Sequence, residues 1–202
     1  MQRISNESFN ELISELESFM VLSFKLKIAL KEVLYETIYE KEARILNFGD
    51  TQRIVWFLLQ GLLREIRMNR TTLKEKTSWF WPVKNFIYTD PGFFSQQPSE
   101  RAIEVVERSK AVFISYLDWS ALKAAFEEVE LITEMIRGGY NKMRIEHVED
   151  MKSLSIEERY LDKEETLDYL FPRTQLNHIA DYMGMAADTL GRLRTKYYGR
   201  NR

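Results

Sequence analysis

The sequence predicts an α+β protein: a leading helix, a β-rich body, then a long helix that runs into a pair of short helices. Three observations predict it. Phe9, Leu12, Ile13, Leu16 and Phe19 recur at helical spacing near the start. Between Arg53 and Tyr116, short β-branched and aromatic runs alternate with turn signals, the pattern of a sandwich or barrel. From Trp119 to Leu154 there is no proline, and Val129, Ile132, Ile136, Met143 and Val148 fall near one stripe.

The leading helix is expected over residues 8–31, because its apolar spacing continues that far. Val33, Tyr35, Thr37 and Tyr39 then alternate with polar neighbours as a strand, and a second short strand is expected over 43–48 before the Gly49-Asp50 turn. Ile54 to Leu59 reads as a buried strand, with Gly61 as a tight turn into a partner over 62–68. Thr77, Trp79 and Trp81 alternate before Pro82. A loop rich in Pro, Gly, Ser and Gln follows over 90–99. Ile103 to Val105 and Val112 to Ile114 are expected as two strands separated by a polar turn at 107–110.

The long helix (119–153) has two usual fates, packing along its own domain or pairing with a copy of itself. Pairing is the preferred reading. Gly138-Gly139 permits close backbone approach there, at about 1 kcal/mol of helix propensity. A boundary is expected at 153–155, before a further helical stretch over 156–170. The expected organisation is therefore a β-rich domain (1–118), a connecting helix (119–153) and a helical unit (154–202).

Composition narrows the function classes. A hydrophobic share of 45% over 202 residues supports a true core. The absence of cysteine excludes disulfides, thiolate metal sites and cysteine nucleophiles, and fits a reducing, cytoplasmic setting. No signal-peptide pattern opens the chain. The longest apolar run, broken at Gln60 and Gly61, falls short of the roughly 20 residues that span a bilayer, so no membrane partner is expected. The net charge of −2 hides an asymmetry. From Arg173 onward, Arg173, Arg192, Arg194, Lys196, Arg200 and Arg202 face only Asp181 and Asp188, so 6 − 2 = +4, leaving −6 on the rest. A basic end on an acidic body suits contact with phosphate.

The end of the chain carries the most specific pattern. Thr174 is a plausible helix cap, and Leu176, Ile179, Ala180 and Met183 form one face. Gly184 is placed to close that helix in the left-handed conformation. A second helix from Ala187 has Leu190, Leu193 and Tyr197 inside, and Asp188, Thr189, Arg192 and Lys196 outside with Arg194 nearby. Two short helices joined by a glycine turn have helix-turn-helix geometry. Arginine can pair bidentately with guanine, and Lys or Thr can hold phosphates. Spacing alone fits an ordinary helical hairpin equally well.

Ile179-Ala180, Met183-Gly184 and Thr189-Leu190-Gly191-Arg192 resemble the DNA-binding end of the catabolite-activator/FNR-type (Crp-Fnr) transcription regulators, and the run from Ser153 to Tyr160 resembles their entry into the winged-helix domain. The order helix, β-rich body, long helix is also theirs, so the resemblance spans nearly the whole chain. It is closest to their divergent cyclic-nucleotide-binding-domain members. It implies a cyclic-nucleotide-binding-like β-roll (jelly roll), a homodimer through the long helix, and a winged helix-turn-helix that binds double-stranded DNA. Asp188 and Arg192 stand where the family reads bases, and Thr189 where it contacts phosphate. Arg194, Lys196 and Gln175 are further DNA-contact candidates. Ala187 and Ala186 depart from the usual Arg or Ser and from the usual Ser or Thr cap. The wing is expected before the motif or in reduced form.

In that family a Gly-Glu pair and an Arg grip the ribose and cyclic phosphate. Tyr88-Thr89 and Ser99 stand at those positions here, so the anchors are absent. Arg101, two residues on and therefore on the same strand face, is the candidate substitute for the arginine. Arg144 lies near where the family contacts the base. No cofactor is expected and cyclic AMP is not expected to bind in the usual way, leaving a small-molecule effector of another kind open.

Catalysis is not expected. His147 and His178 lie far apart in sequence, and no phosphate loop, nucleophile elbow or zinc motif occurs. The remaining alternative is an interaction protein that keeps the regulator's fold without specific DNA binding.

Overall fold

The computed structural model describes residues 2–197. Arg200 and Arg202 of the basic end lie outside the described residues. A short strand β1 (Gln2–Arg3) precedes α1 (Asn6–Phe19) and α2 (Phe24–Val33). The expected single helix over 8–31 is thus two helices. Ser23 ends the run by accepting the Leu26 amide at 3.2 Å as an N-cap. Leu22 and Leu26 keep helical spacing across that break, which is why periodicity missed it.

β2 (Tyr35–Tyr39), β3 (Arg44–Leu46), β4 (Ile54–Met68), β5 (Glu75–Trp81), β6 (Phe86–Ile87) and β7 (Arg101–Ser115) complete an antiparallel sheet. Its main path runs β1-β2-β7-β4-β5, with β3 on β7 and β6 on β4. β4 and β7 are 15 residues each and pair from Ile54↔Ser115 to Arg67↔Arg101.

Two expected turns are corrected by that pairing. Gly61 does not reverse the chain; it sits inside β4 at φ +103°, where the register shifts. A Cβ there would lie 2.0 Å from Ser109 Oγ. Residues 107–110 are likewise inside β7. Their charges are explained by partners on the helical unit and on the adjacent strand: Glu107 pairs with Arg173 at 2.6 Å, and Lys110 with Glu36 of β2 at 3.4 Å.

α3 (Tyr116–Ala125) and α4 (Glu127–Ser153) replace the single long helix, with Phe126 extended between them. Gly138 and Gly139 do not break α4. The expected stripe splits. Val129 and Ile132 are buried against α1, α2 and the sheet, whereas Met143 and Val148 are exposed. α5 (Ile156–Asp162), opened by a reciprocal Ser155–Glu158 capping box, leads to α6 (Glu164–Leu170), α7 (Leu176–Tyr182) and α8 (Ala187–Tyr197). Among the described residues no strand follows Ser115, so they form no wing.

Three apolar clusters hold the molecule together. One lies between α1–α4 and the sheet, and one, rich in aromatics, fills the roll. The third joins α5–α8 to Leu62, Phe80 and Val106 of the sheet. The helical unit therefore shares its core with the β-rich body.

Candidate nucleic-acid interface and effector pocket

The helix pair is built as a close crossing. Ile179 and Ala180 of α7 and Leu190 of α8 are buried between the helices. α7 starts at Gln175, not at Thr174. Gln175 has the extended N-cap conformation without a side-chain cap bond, and the Thr174 hydroxyl lies 3.1 Å from His178 Nδ1 instead. α7 ends in a Schellman closure: Gly184 N donates to Asp181 O (3.2 Å) and Met185 N to Ala180 O (3.0 Å), with Gly184 at φ +63°. A Cβ on Gly184 would also lie 3.3 Å from Met151 Sδ of α4, a tight contact with a flexible side chain, so it is the left-handed conformation that favours glycine there.

The outer face of α8 separates the candidate residues. Asp188 and Arg192, one turn apart, are exposed, and neither has an ion-pair partner among the described residues. Thr189 is half-buried. Arg194 lies over the Phe171 ring at 4.3 Å, and Lys196 pairs with Glu157 at 2.7 Å. Gln175 is apart from all of these. It lines a groove between the helix pair and the sheet, with Arg64 and Glu104.

α7 is docked on β5. Lys76 meets Asp181 at 3.1 Å, and the Tyr182 ring packs edge-on to Phe80 at 5.5 Å. His147 of α4 stacks on Tyr182 (4.5 Å, 12°), and its Nε2 lies 3.1 Å from the Tyr182 carbonyl. Burial pushes His147 below the usual histidine range.

Of the five effector-pocket candidates, Arg101 and Arg144 meet at Glu65, a residue that the sequence reading missed, whereas Thr89 and Ser99 pair with each other and Tyr88 lies among aromatic rings. Glu65 of β4, 1% exposed, takes Arg144 on both oxygens (2.7 and 3.2 Å) and has Arg101 Nε at 3.6 Å. Ser78 Oγ also donates to it at 3.0 Å. Arg144 stays charged: burial opposes ionisation, but the Glu65 carboxylate and its hydrogen bonds raise the guanidinium above its ordinary value. Thr89 and Ser99 are buried and joined to each other at 2.9 Å. Gln52 Oε1, also missed, accepts from the Thr89 amide at 2.9 Å. Tyr88 packs on Phe94 (5.0 Å) and Tyr140 (5.7 Å), and burial pushes its hydroxyl up to about 12.

Aromatic rings thus pack around Tyr88, and both arginines already face a carboxylate. A lone acid among apolar strand residues, Leu63-Arg64-Glu65-Ile66, was the available signal for Glu65. Among the described residues no cluster fits a metal ion, and no helix is long and apolar enough to cross a membrane.

No protein-family model matches the sequence, and no curated protein does. Solved structures share the fold. FixK2 from Bradyrhizobium japonicum superposes with a TM-score of 0.73 at 14% identity, over 84% of this chain and 86% of that one. CLP, a c-di-GMP-responsive global regulator of Xanthomonas campestris, gives 0.66 at 13%, over 89% and 93%. The catabolite activator protein of Thermus thermophilus gives 0.54 at 16%, over 93% and 88%. The chain therefore shares its fold with these proteins, at 13–16% identity.

Proposed function

We propose that this chain is a divergent Crp-Fnr-type transcription regulator that binds double-stranded DNA as a homodimer. The observation that carries the reading is the solvent face of α8. Asp188 and Arg192 stand there unpaired, one turn apart, on a helix whose inner face is locked by Leu190. A bidentate arginine on such a face reads guanine, and an acid near a helix start can accept from cytosine N4. Thr189 and Lys196 would contact phosphate. Arg194 would do so after leaving Phe171, and Gln175 from its exposed place at the groove beside the sheet.

The dimer rests on α4. Leu131, Met135 and Ile145 are 55%, 47% and 57% exposed, and with Gly138 they fall at spacings of four, three and seven, a heptad seam. A Cβ added at Gly138 meets nothing within 4 Å, so a second helix can approach closely there. This seam is not the stripe expected from the sequence, half of which is core.

Cyclic AMP is not the effector in this reading. Losing Glu65 from the two arginines, and the aromatic rings from the roll, would cost more than a nucleotide returns. Selection of bound fragments from random DNA tests the whole: enrichment of a two-fold symmetric motif is expected, and enrichment of none refutes it.

A further inference from the structure

Between the sheet and α1–α4 lies an apolar cavity of about 110 Å³. Its floor is Phe57 and Val112, its roof Leu12 and Leu26, and its far wall Trp119 and Ile132. The indole N–H groups and the threonine hydroxyl at its edge are engaged, which leaves the Tyr88 hydroxyl as a lone further polar group on its lining. Trp56 Nε1 donates to Tyr39 at 2.9 Å, Trp119 Nε1 to Thr133 at 3.2 Å, and the Thr133 hydroxyl to Val129 O at 2.6 Å. Water needs two to four polar partners to occupy such a space, so the cavity is dry. Interiors ordinarily close voids of this size, because an empty one costs stability in proportion to its volume.

We propose that this cavity is a binding site for a small uncharged apolar molecule, about one aromatic ring or a short alkyl chain in size. Apolar cavities of about 150 Å³ take benzene, and this one needs only slight repacking to do so. Glu65, Arg101 and Arg144 do not line the cavity, although Tyr88 and Phe94 do.

The entrance is the turn between α1 and α2. Leu22 lines the cavity, while its neighbours Val21 and Phe24 are 82% and 78% exposed, an apolar threshold beside a buried wall. Apart from the buried Leu22 side chain, the turn is held by contacts near the surface. Glu128 in the first turn of α4 accepts from Ser23 N (2.6 Å) and Ser23 Oγ (3.0 Å), and Lys27 pairs with Glu17 at 2.6 Å. Exposed contacts of this kind open readily. Because Trp119 and Ile132 belong to the helices that lead to the helix pair, an occupant also touches the connecting element. Binding itself does not depend on the DNA-binding reading.

Toluene added to the full chain tests the site. Methyl resonances of Leu12, Leu26 and Ile132 should shift saturably, and the thermal midpoint should rise with toluene concentration. Val55→Phe, filling the cavity from β4, should abolish both responses. If that variant does not fold, Ile132→Phe from the opposite wall replaces it, read by loss of the Leu12 and Leu26 shifts. Glu128→Ala should speed toluene entry and exit together several-fold. Absent saturable shifts in the wild-type chain, or equal shifts in the filled variant, would overturn the site; unchanged exchange in Glu128→Ala would overturn the entrance.

Discussion

Arg144 of α4 places two guanidinium nitrogens on the carboxylate of Glu65 in β4, at 2.7 and 3.2 Å, and so pins the connecting helix to the roll with an internal anion. Glu65 is buried and Arg144 about one-third exposed, so the carboxylate carries the larger desolvation cost. Glu65→Ala leaves two arginines facing an apolar wall. It should destabilise the fold by about 3 kcal/mol, read as a lower denaturant midpoint at unchanged slope. An unchanged midpoint would remove this pair from the account.

Gly61 offers a test of the β4–β7 pairing. Alanine there must displace Ser109 and hold φ at +103°. Gly61→Ala should cost at least ~2 kcal/mol, and Ser109→Gly in the same chain should recover only the steric part of the loss.

The sequence made the elements legible but not their joints. β2, β3 and β5 fall where alternation places them, and the Gly184 closure follows from chemistry that only glycine supplies. Gly61 and residues 107–110 look like turns because glycine and clustered charge usually are turns. Here the glycine relieves contact with Ser109, and the charges reach Arg173 and Glu36, partners distant in sequence. Likewise Val129 and Ile132 share a stripe with Met143 and Val148, yet only the first two meet α1 and the sheet, because the body ends before α4 does. The five pocket candidates come from a family pattern. Glu65, which takes Arg101 and Arg144, is not part of that pattern.

Acid should loosen the helix pair. Burial lowers both His147 and His178 in the folded chain, so the unfolded chain binds protons first. Their contribution is complete above the ordinary histidine value of 6.5 and is lost as pH falls below it toward the folded values. The thermal midpoint should therefore drop between about pH 7.5 and pH 5.5. His147→Gln should flatten that slope, and an equal slope in the variant would place the proton uptake elsewhere.

The seam on α4 predicts the oligomeric state. Ile145→Glu puts a charge at the C-terminal end of the apolar seam and should convert a dimer to monomers in sedimentation, with weaker DNA binding at the same chain concentration. A wild-type chain that sediments as a monomer at tens of micromolar, a range in which a stable dimer persists, would refute the seam.

The most direct test of DNA reading is an anisotropy titration of wild-type and Arg192→Ala chains on a selected DNA site and on scrambled DNA, at two salt concentrations. Arg192→Ala should lose roughly 10- to 100-fold in affinity for the selected site and little for scrambled DNA. Lys196→Ala should weaken both and lower the salt slope by about one. Equal affinity of wild-type and Arg192→Ala chains for the selected site would contradict the assignment of α8 as the element that reads DNA.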